Sequence, residues 1–157
     1  MFIFRFIRKF FLTLLIFIIG AAVGGYAVTK VKPRSFLNVK DCQNSCLRTN
    51  EFLGLLGSIG MQYTPNLVPG IIIETDKTIA IKHPRPATST HYVIIPKKDI
   101  KNIAELEPGD EEYLQDAAAV IGELVRRDRL VKYRVITNGP GYQSVAYLHF
   151  HLMGNEK

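Results

Sequence analysis

The segment Tyr147-Leu148-His149-Phe150-His151-Leu152-Met153 carries two of the four histidines in this 157-residue chain. Polar and apolar residues alternate through it, the pattern of a β-strand with one buried face. In that reading Tyr147, His149, His151 and Met153 share one face, and Leu148, Phe150 and Leu152 the other. Same-face neighbours on a strand lie about 6.6 Å apart, so His149 and His151 could hold successive groups of one extended ligand. Neutral imidazole is a nucleophile near pH 7 and leaves readily once protonated, which suits group transfer. Half-exposed polar residues on a solvent face would give the same pattern without any chemistry.

The rest of the chain must position these residues. With 47% hydrophobic and 22% charged residues the composition is that of a globular protein, and the length holds one modest domain, which excludes a multi-domain enzyme. The formal net charge of +6 is spread along the chain rather than gathered into a stripe, which argues against a nucleic-acid partner. Residues 1–9 form a basic flank, 10–28 a transmembrane helix, 29–41 a polar linker and 42–157 the folded domain. The run from Phe10 to Val28 has no charge and, as a helix, spans about 28 Å, close to the hydrocarbon thickness. It is longer than a usual signal-peptide core, which favours a retained single-pass anchor over a cleaved signal. Arg5, Arg8 and Lys9 before the run and Lys30, Lys32, Arg34 and Lys40 after it nearly balance, so the side of the membrane is left open.

In the domain, Cys42 to Met61 has apolar residues near helical spacing, and Ile71–Glu74 and Thr78–Ile81 flank a tight polar break, as in a hairpin. His91–Ile95 is a third strand, stopped by Pro96. Asp110–Arg129 has the strongest helical periodicity, with acidic residues in its first turn and arginines in its last. Tyr133–Thr137 and Val145–Met153 are two further strands. This is an α+β domain: a largely antiparallel five-stranded sheet with one main helix, preceded by the transmembrane helix. The spacing of Cys42 and Cys46 allows a disulfide, part of a metal site or two buried thiols.

Tyr147-Leu148-His149-Phe150-His151-Leu152-Met153 resembles the signature of the histidine triad (HIT) superfamily of nucleotide hydrolases and transferases, His-φ-His-φ-His-φ-φ with φ apolar. Gln143-Ser144-Val145 before it, Tyr133-Arg134 with Asn138, and Ser89-Thr90-His91-Tyr92-Val93-Ile94-Ile95-Pro96-Lys97-Lys98 extend the likeness over roughly residues 70–154, in the family's order. The resemblance implies that His149 is the nucleophile on the α-phosphorus of a nucleotide derivative and that a nucleotidyl-histidine intermediate is hydrolysed by water. It further implies that His151 donates to a nonbridging oxygen, that Gln143 and Ser144 contact phosphate or leaving group, and that Asn138 and His91 support the site. No metal or other cofactor is required by that mechanism, and many relatives are homodimers.

The chain departs from the family pattern at three places. Tyr147 stands at the first triad histidine, and a phenol cannot shuttle protons near neutral pH. The zinc-bearing relatives use Cys-x-x-Cys with two histidines, whereas Cys42-x-x-x-Cys46, His91 and Tyr147 form an incomplete set for structural zinc. Nucleoside phosphoramidate hydrolases carry an Asp for the ribose hydroxyls where this chain has His83, beside Lys82, Pro84 and Arg85, which favours phosphate-rich ligands. The expectation is a membrane-tethered, homodimeric hydrolase or transferase acting on a nucleotide phosphoramidate, nucleotidyl ester or dinucleoside polyphosphate, with Tyr147 and His83 among its substrate-binding residues. The alternative is an accessory subunit of a membrane complex that binds nucleotide without turnover.

Overall fold

The computed structural model describes residues 2–29, 31–35, 37 and 46–155. Two compact units are present, Met1–Val31 and Lys32–Lys157. The first is the helix α1 (Phe2–Val28), whose apolar side chains, Phe10, Phe11 and Phe17 among them, are exposed all round. A helix apolar on every side needs an apolar surrounding. Its stretch Phe4–Val28 is long and apolar enough to cross a membrane, with a mean hydropathy of 2.3.

The second unit is built on one sheet of β1 (Ile71–Glu74), β2 (Thr78–Lys82), β3 (Thr90–Pro96), β4 (Lys132–Thr137) and β5 (Phe150–Asn155). The order across the sheet is β1-β2-β3-β5-β4 and every pairing is antiparallel. The polar break at 75–77 works as a turn because the Thr75 hydroxyl accepts from the Thr78 and Lys77 amides, at 2.8 and 3.2 Å. The α+β architecture expected from the hydrophobic periodicity is the one observed.

Helix α3 (Glu111–Arg127) covers one face of the sheet through Ala117, Val120 and Leu124, which pack with Ala80, Tyr92, Ile94 and Leu152. Lys98 Nζ lies 2.5 Å from the buried carboxylate of Asp110, the residue before the first helical turn, so the end of β3 is tied to the start of α3. On the opposite face, helix α2 (Thr49–Tyr63) supplies Met61 to a smaller cluster with Ile79 and Tyr147. β3 is buried on both faces, which is why His91-Tyr92-Val93-Ile94-Ile95 reads as a near-continuous apolar run.

Two segments differ from the sequence reading. The strand expected from Val145 begins at Phe150 instead. Backbone donors of the preceding residues are committed elsewhere, Ala146 N to Asn50 O at 2.9 Å, Tyr147 N to Val145 O at 2.8 Å and Leu148 N to Ile100 O at 2.6 Å. A segment bonded to three different partners cannot also join the ladder, and Ala146, Tyr147 and Leu148 are buried in succession rather than in alternation. The stretch read as a linker over 29–41 also carries anchoring residues. Lys32 N donates to Asp99 Oδ2 at 2.7 Å, and the Arg34 guanidinium, its side chain 1% exposed, bonds Asp99 and the Ala146 carbonyl. Helix α2 starts at Thr49, and residues 42–45 of the expected Cys42–Met61 helix lie outside the described residues.

Gly54 is where α2 meets the 145–148 segment. A Cβ at this position would stand 2.5 Å from the Ala146 carbonyl oxygen and 2.9 Å from Arg34 Nη1. Gly54→Ala is therefore expected to destabilise the domain by about 1–3 kcal/mol through overpacking, although alanine is the better helix former. Thermal melts of Gly54→Ala beside Gly57→Ala, where a Cβ meets open space, check this; equal melting temperatures would contradict it.

Candidate active site

A cavity of about 430 Å³ opens on the α2 face of the sheet. Met61, Val68, Val93, Ile95 and Val145 form its apolar wall, and His83, Asn138, Ser144, His149 and His151 its polar side. Pairing of β5 with β3 and β4 sets His151 opposite Val93 and Ile136. His149 stands one residue before β5, where the chain leaves the sheet. The two rings meet edge to face with centroids 5.0 Å apart, closer than the stride of a regular strand.

Backbone groups determine the tautomer of each ring. The Tyr147 carbonyl can only accept, so His149 Nδ1, 2.7 Å away, carries the proton and Nε2 is left with a free lone pair. The Ala87 amide can only donate, so His91 Nδ1, 3.2 Å from it, is unprotonated and the His91 proton sits on Nε2. His91 Nε2 lies 3.0 Å from His151 Nδ1 and donates to it, which puts the proton of His151 on Nε2. The two cavity imidazoles thus offer one lone pair and one N–H donor. His91, 5% exposed, stands behind His151 and does not line the cavity, so it orients His151 rather than touching a ligand.

Burial holds the His151 imidazole neutral down to about 4, helped by the neighbouring rings of His149, His91 and His83. His91 is lowered by the same cause, with His83 and Arg134 adding repulsion. Both shifts agree with the tautomers, since neither ring could keep its hydrogen bonds as an imidazolium.

Other candidates from the sequence take different positions. Gln143 is buried, and its Nε2 donates to the carbonyls of Lys101 and Tyr147 at 3.1 and 3.3 Å, so it braces the loop and does not line the cavity. Tyr147 is 3% exposed and turns its hydroxyl away from the cavity, where it donates to the carbonyls of Pro96 and Lys98, each at 2.9 Å. Burial and the nearby Asp99 carboxylate raise its pKa. Lys82 and Arg85 do not line the cavity either; the contribution of Arg85 is its amide, which donates to His83 Nδ1 at 3.0 Å. Gly57, Gly60, Met61 and Tyr142 line the cavity without having been identified from the sequence. The glycine spacing on α2 was the available signal, since a Cβ at Gly57 or Gly60 would meet no atom within 4 Å.

The donor sets for a metal do not fit. Cys46 is disulfide-bonded, Cys42 lies outside the described residues, and His91 and Tyr147 are committed to other partners. A second set, His83, His91 and His151, brings one nitrogen from each ring within 4.8 Å of the others. A metal-bound imidazole normally donates its other N–H outward. Here Nδ1 of both His83 and His91 accepts from a backbone amide, so binding through Nε2 would require breaking those bonds or forming an imidazolate.

The model of the family described as "Scavenger mRNA decapping enzyme C-term binding" matches residues 62–157. An uncharacterized HIT-like protein of Chlamydia muridarum is 37% identical over 87 residues, 53% of this chain and 68% of the relative. A HIT-like protein of Chlamydia pneumoniae is 38% identical over 87 residues, 53% of this chain and 78% of the relative. Among solved structures, a HIT family hydrolase from Legionella pneumophila is 29% identical with a TM-score of 0.55, over 60% of this chain and 88% of that one. A HIT family hydrolase from Clostridium thermocellum is 29% identical with a TM-score of 0.54, over 69% and 91%. With the signature strand, its supporting histidine and the antiparallel sheet in place, the chain belongs to the histidine triad superfamily.

Proposed function

We propose that this protein is a membrane-tethered hydrolase or transferase of nucleotide derivatives, in which His149 attacks the α-phosphorus. One observation carries the reading: the fixed tautomers leave a lone pair on His149 Nε2 beside an N–H donor on His151 Nε2, both rings lining one cavity. Attack forms an Nε2–P bond as the bond from phosphorus to the leaving group breaks. The positive charge gained by His149 is stabilised by the Tyr147 carbonyl, which already accepts from Nδ1. His151 donates to a nonbridging oxygen as negative charge develops there. Water then attacks phosphorus, the Nε2–P bond breaks, and a proton lost by the water goes in net to the released group. The apolar wall of Met61, Val68, Ile95 and Val145 accommodates a base, and Ser144 is the hydroxyl closest in sequence to the triad segment that lines the cavity. The apolar helix Phe4–Val28 supplies the tether.

Burial of the Tyr147 hydroxyl supports a second reading, an accessory subunit that binds nucleotide without turnover, because this hydroxyl cannot hand a proton to a leaving group. Turnover of a fluorogenic adenosine phosphoramidate by the full chain in detergent, with intact-mass analysis for a nucleotidyl adduct, separates the two. The expected outcome is measurable turnover that falls at least 1000-fold in His149→Ala, roughly the scale of losing a nucleophile. Neither turnover nor adduct from folded protein favours the accessory subunit.

Tyr147→Phe is expected to keep kcat/KM within about threefold while destabilising the domain by about 1 kcal/mol, the usual net loss for one hydrogen bond. A large loss of turnover at unchanged stability would instead place the hydroxyl in the chemistry.

Linkage predicts a pH effect on stability. The unfolded chain takes up protons on histidine near 6.5, whereas His151 in the native state resists protonation down to about 4. Between these values the unfolded state binds more protons, so stability falls as pH falls. Melting temperature should decline over that window, and His151→Gln should flatten the decline; parallel curves would show that His151 does not contribute.

A further inference from the structure

Neither Asp nor Glu is among the described residues that line the cavity. A vicinal diol presents two O–H donors, and a carboxylate that accepts from both is the usual way to hold one. Here the side-chain acceptors are the Asn138 carboxamide oxygen, the Ser144 hydroxyl and His149 Nε2, all of them uncharged.

His83 adds a donor in place of an acceptor. Its Nδ1 accepts from the Arg85 amide at 3.0 Å, so the neutral ring carries its proton on Nε2. The ring is held in plane by stacking on His91, with centroids 4.1 Å apart and an interplanar angle of 4°. Its centroid is 5.7 Å from that of His151, on whose other contact, at 5.0 Å, stands the nucleophile His149. Three imidazoles therefore line one side, each with a partner that settles its tautomer. A hydrogen bond from N–H to an anionic oxygen is about twice as strong as one to a neutral acceptor.

We infer that His83 forms an anion subsite next to the reacting phosphate, so that the cavity selects ligands carrying a second phosphate over those presenting only a free diol. This rests on the nucleotide reading above and narrows its substrate class. A second phosphate has two possible sources, a phosphomonoester on the sugar or the next phosphate of a polyphosphate chain, and the chemistry at His83 is the same for both.

Calorimetric titration of the full chain in detergent, without divalent metal, tests this with AMP, ADP and adenosine 3′,5′-bisphosphate. At least one two-phosphate ligand should bind tenfold or more tightly than AMP, and the ligand preferred identifies the source. In His83→Ala and His83→Asp that ratio should fall to threefold or less; a preference due merely to the net positive charge of the chain would survive in His83→Ala. A ratio near one in the wild type, or an unchanged ratio in His83→Ala, overturns the subsite. If the phosphoramidate is turned over through His149 and yet no preference exists, the subsite alone fails. If folded protein binds none of the three ligands and forms no adduct, the nucleotide reading fails and the subsite with it.

Discussion

The proton shared between His91 Nε2 and His151 Nδ1 is the interaction on which the site depends. It begins outside the histidines, at the Ala87 amide, which donates to His91 Nδ1 and so leaves one possible arrangement for every ring that follows. The Ala87 amide, through His91, makes His151 a defined donor, and separately the Tyr147 carbonyl leaves His149 a defined lone pair. Burial reinforces the arrangement by opposing protonation of His91 and His151, since a charged ring at either place would lose its solvation and its acceptor role together.

The bond from His149 Nδ1 to the Tyr147 carbonyl requires the 145–149 segment to leave the sheet. In a regular strand His149 and His151 would stand a full two-residue stride apart, and the Tyr147 carbonyl would be committed to the ladder. Instead the amides of Ala146 and Leu148 bond to Asn50 and Ile100, and the Tyr147 carbonyl accepts from His149 Nδ1 and Gln143 Nε2. Gly54 lets α2 approach closely enough for the Asn50 bond, and Arg34 braces the same segment by joining the Ala146 carbonyl to Asp99. Residues from before the sheet thus support the backbone that leads into His149.

Tyr147 shows how one replacement is absorbed. At a triad position where the family has imidazole, the phenol turns inward and fastens the 145–149 segment to the carbonyls that end β3. The position keeps a structural role, with its hydroxyl occupied by those two carbonyls. His83 is the opposite case, a donor in a cavity with no acidic group among its described lining residues, and the Arg85 amide rather than the Arg85 charge is what orients it.

Much of this was legible in the sequence. Helical periodicity identified α3 and runs of β-favouring residues between turn residues identified the five strands, and the spacing of His91, Asn138, Ser144, His149 and His151 carried the family likeness without any coordinates. The apolar length of the N-terminal run was equally plain. What the sequence could not express is where backbone donors and acceptors go once the chain is folded. The late start of β5 follows from amides bonded to residues about 50 and 100 positions away in the chain, and no local pattern encodes those partners. The same holds for Gln143 and Tyr147, whose residue types suit ligand contact but whose polar atoms are occupied by carbonyls of the 96–101 segment. Residue type determined that imidazoles would line the site; only the tertiary structure decided which nitrogen of each carries the proton, because that choice is made by a backbone group each ring meets through folding.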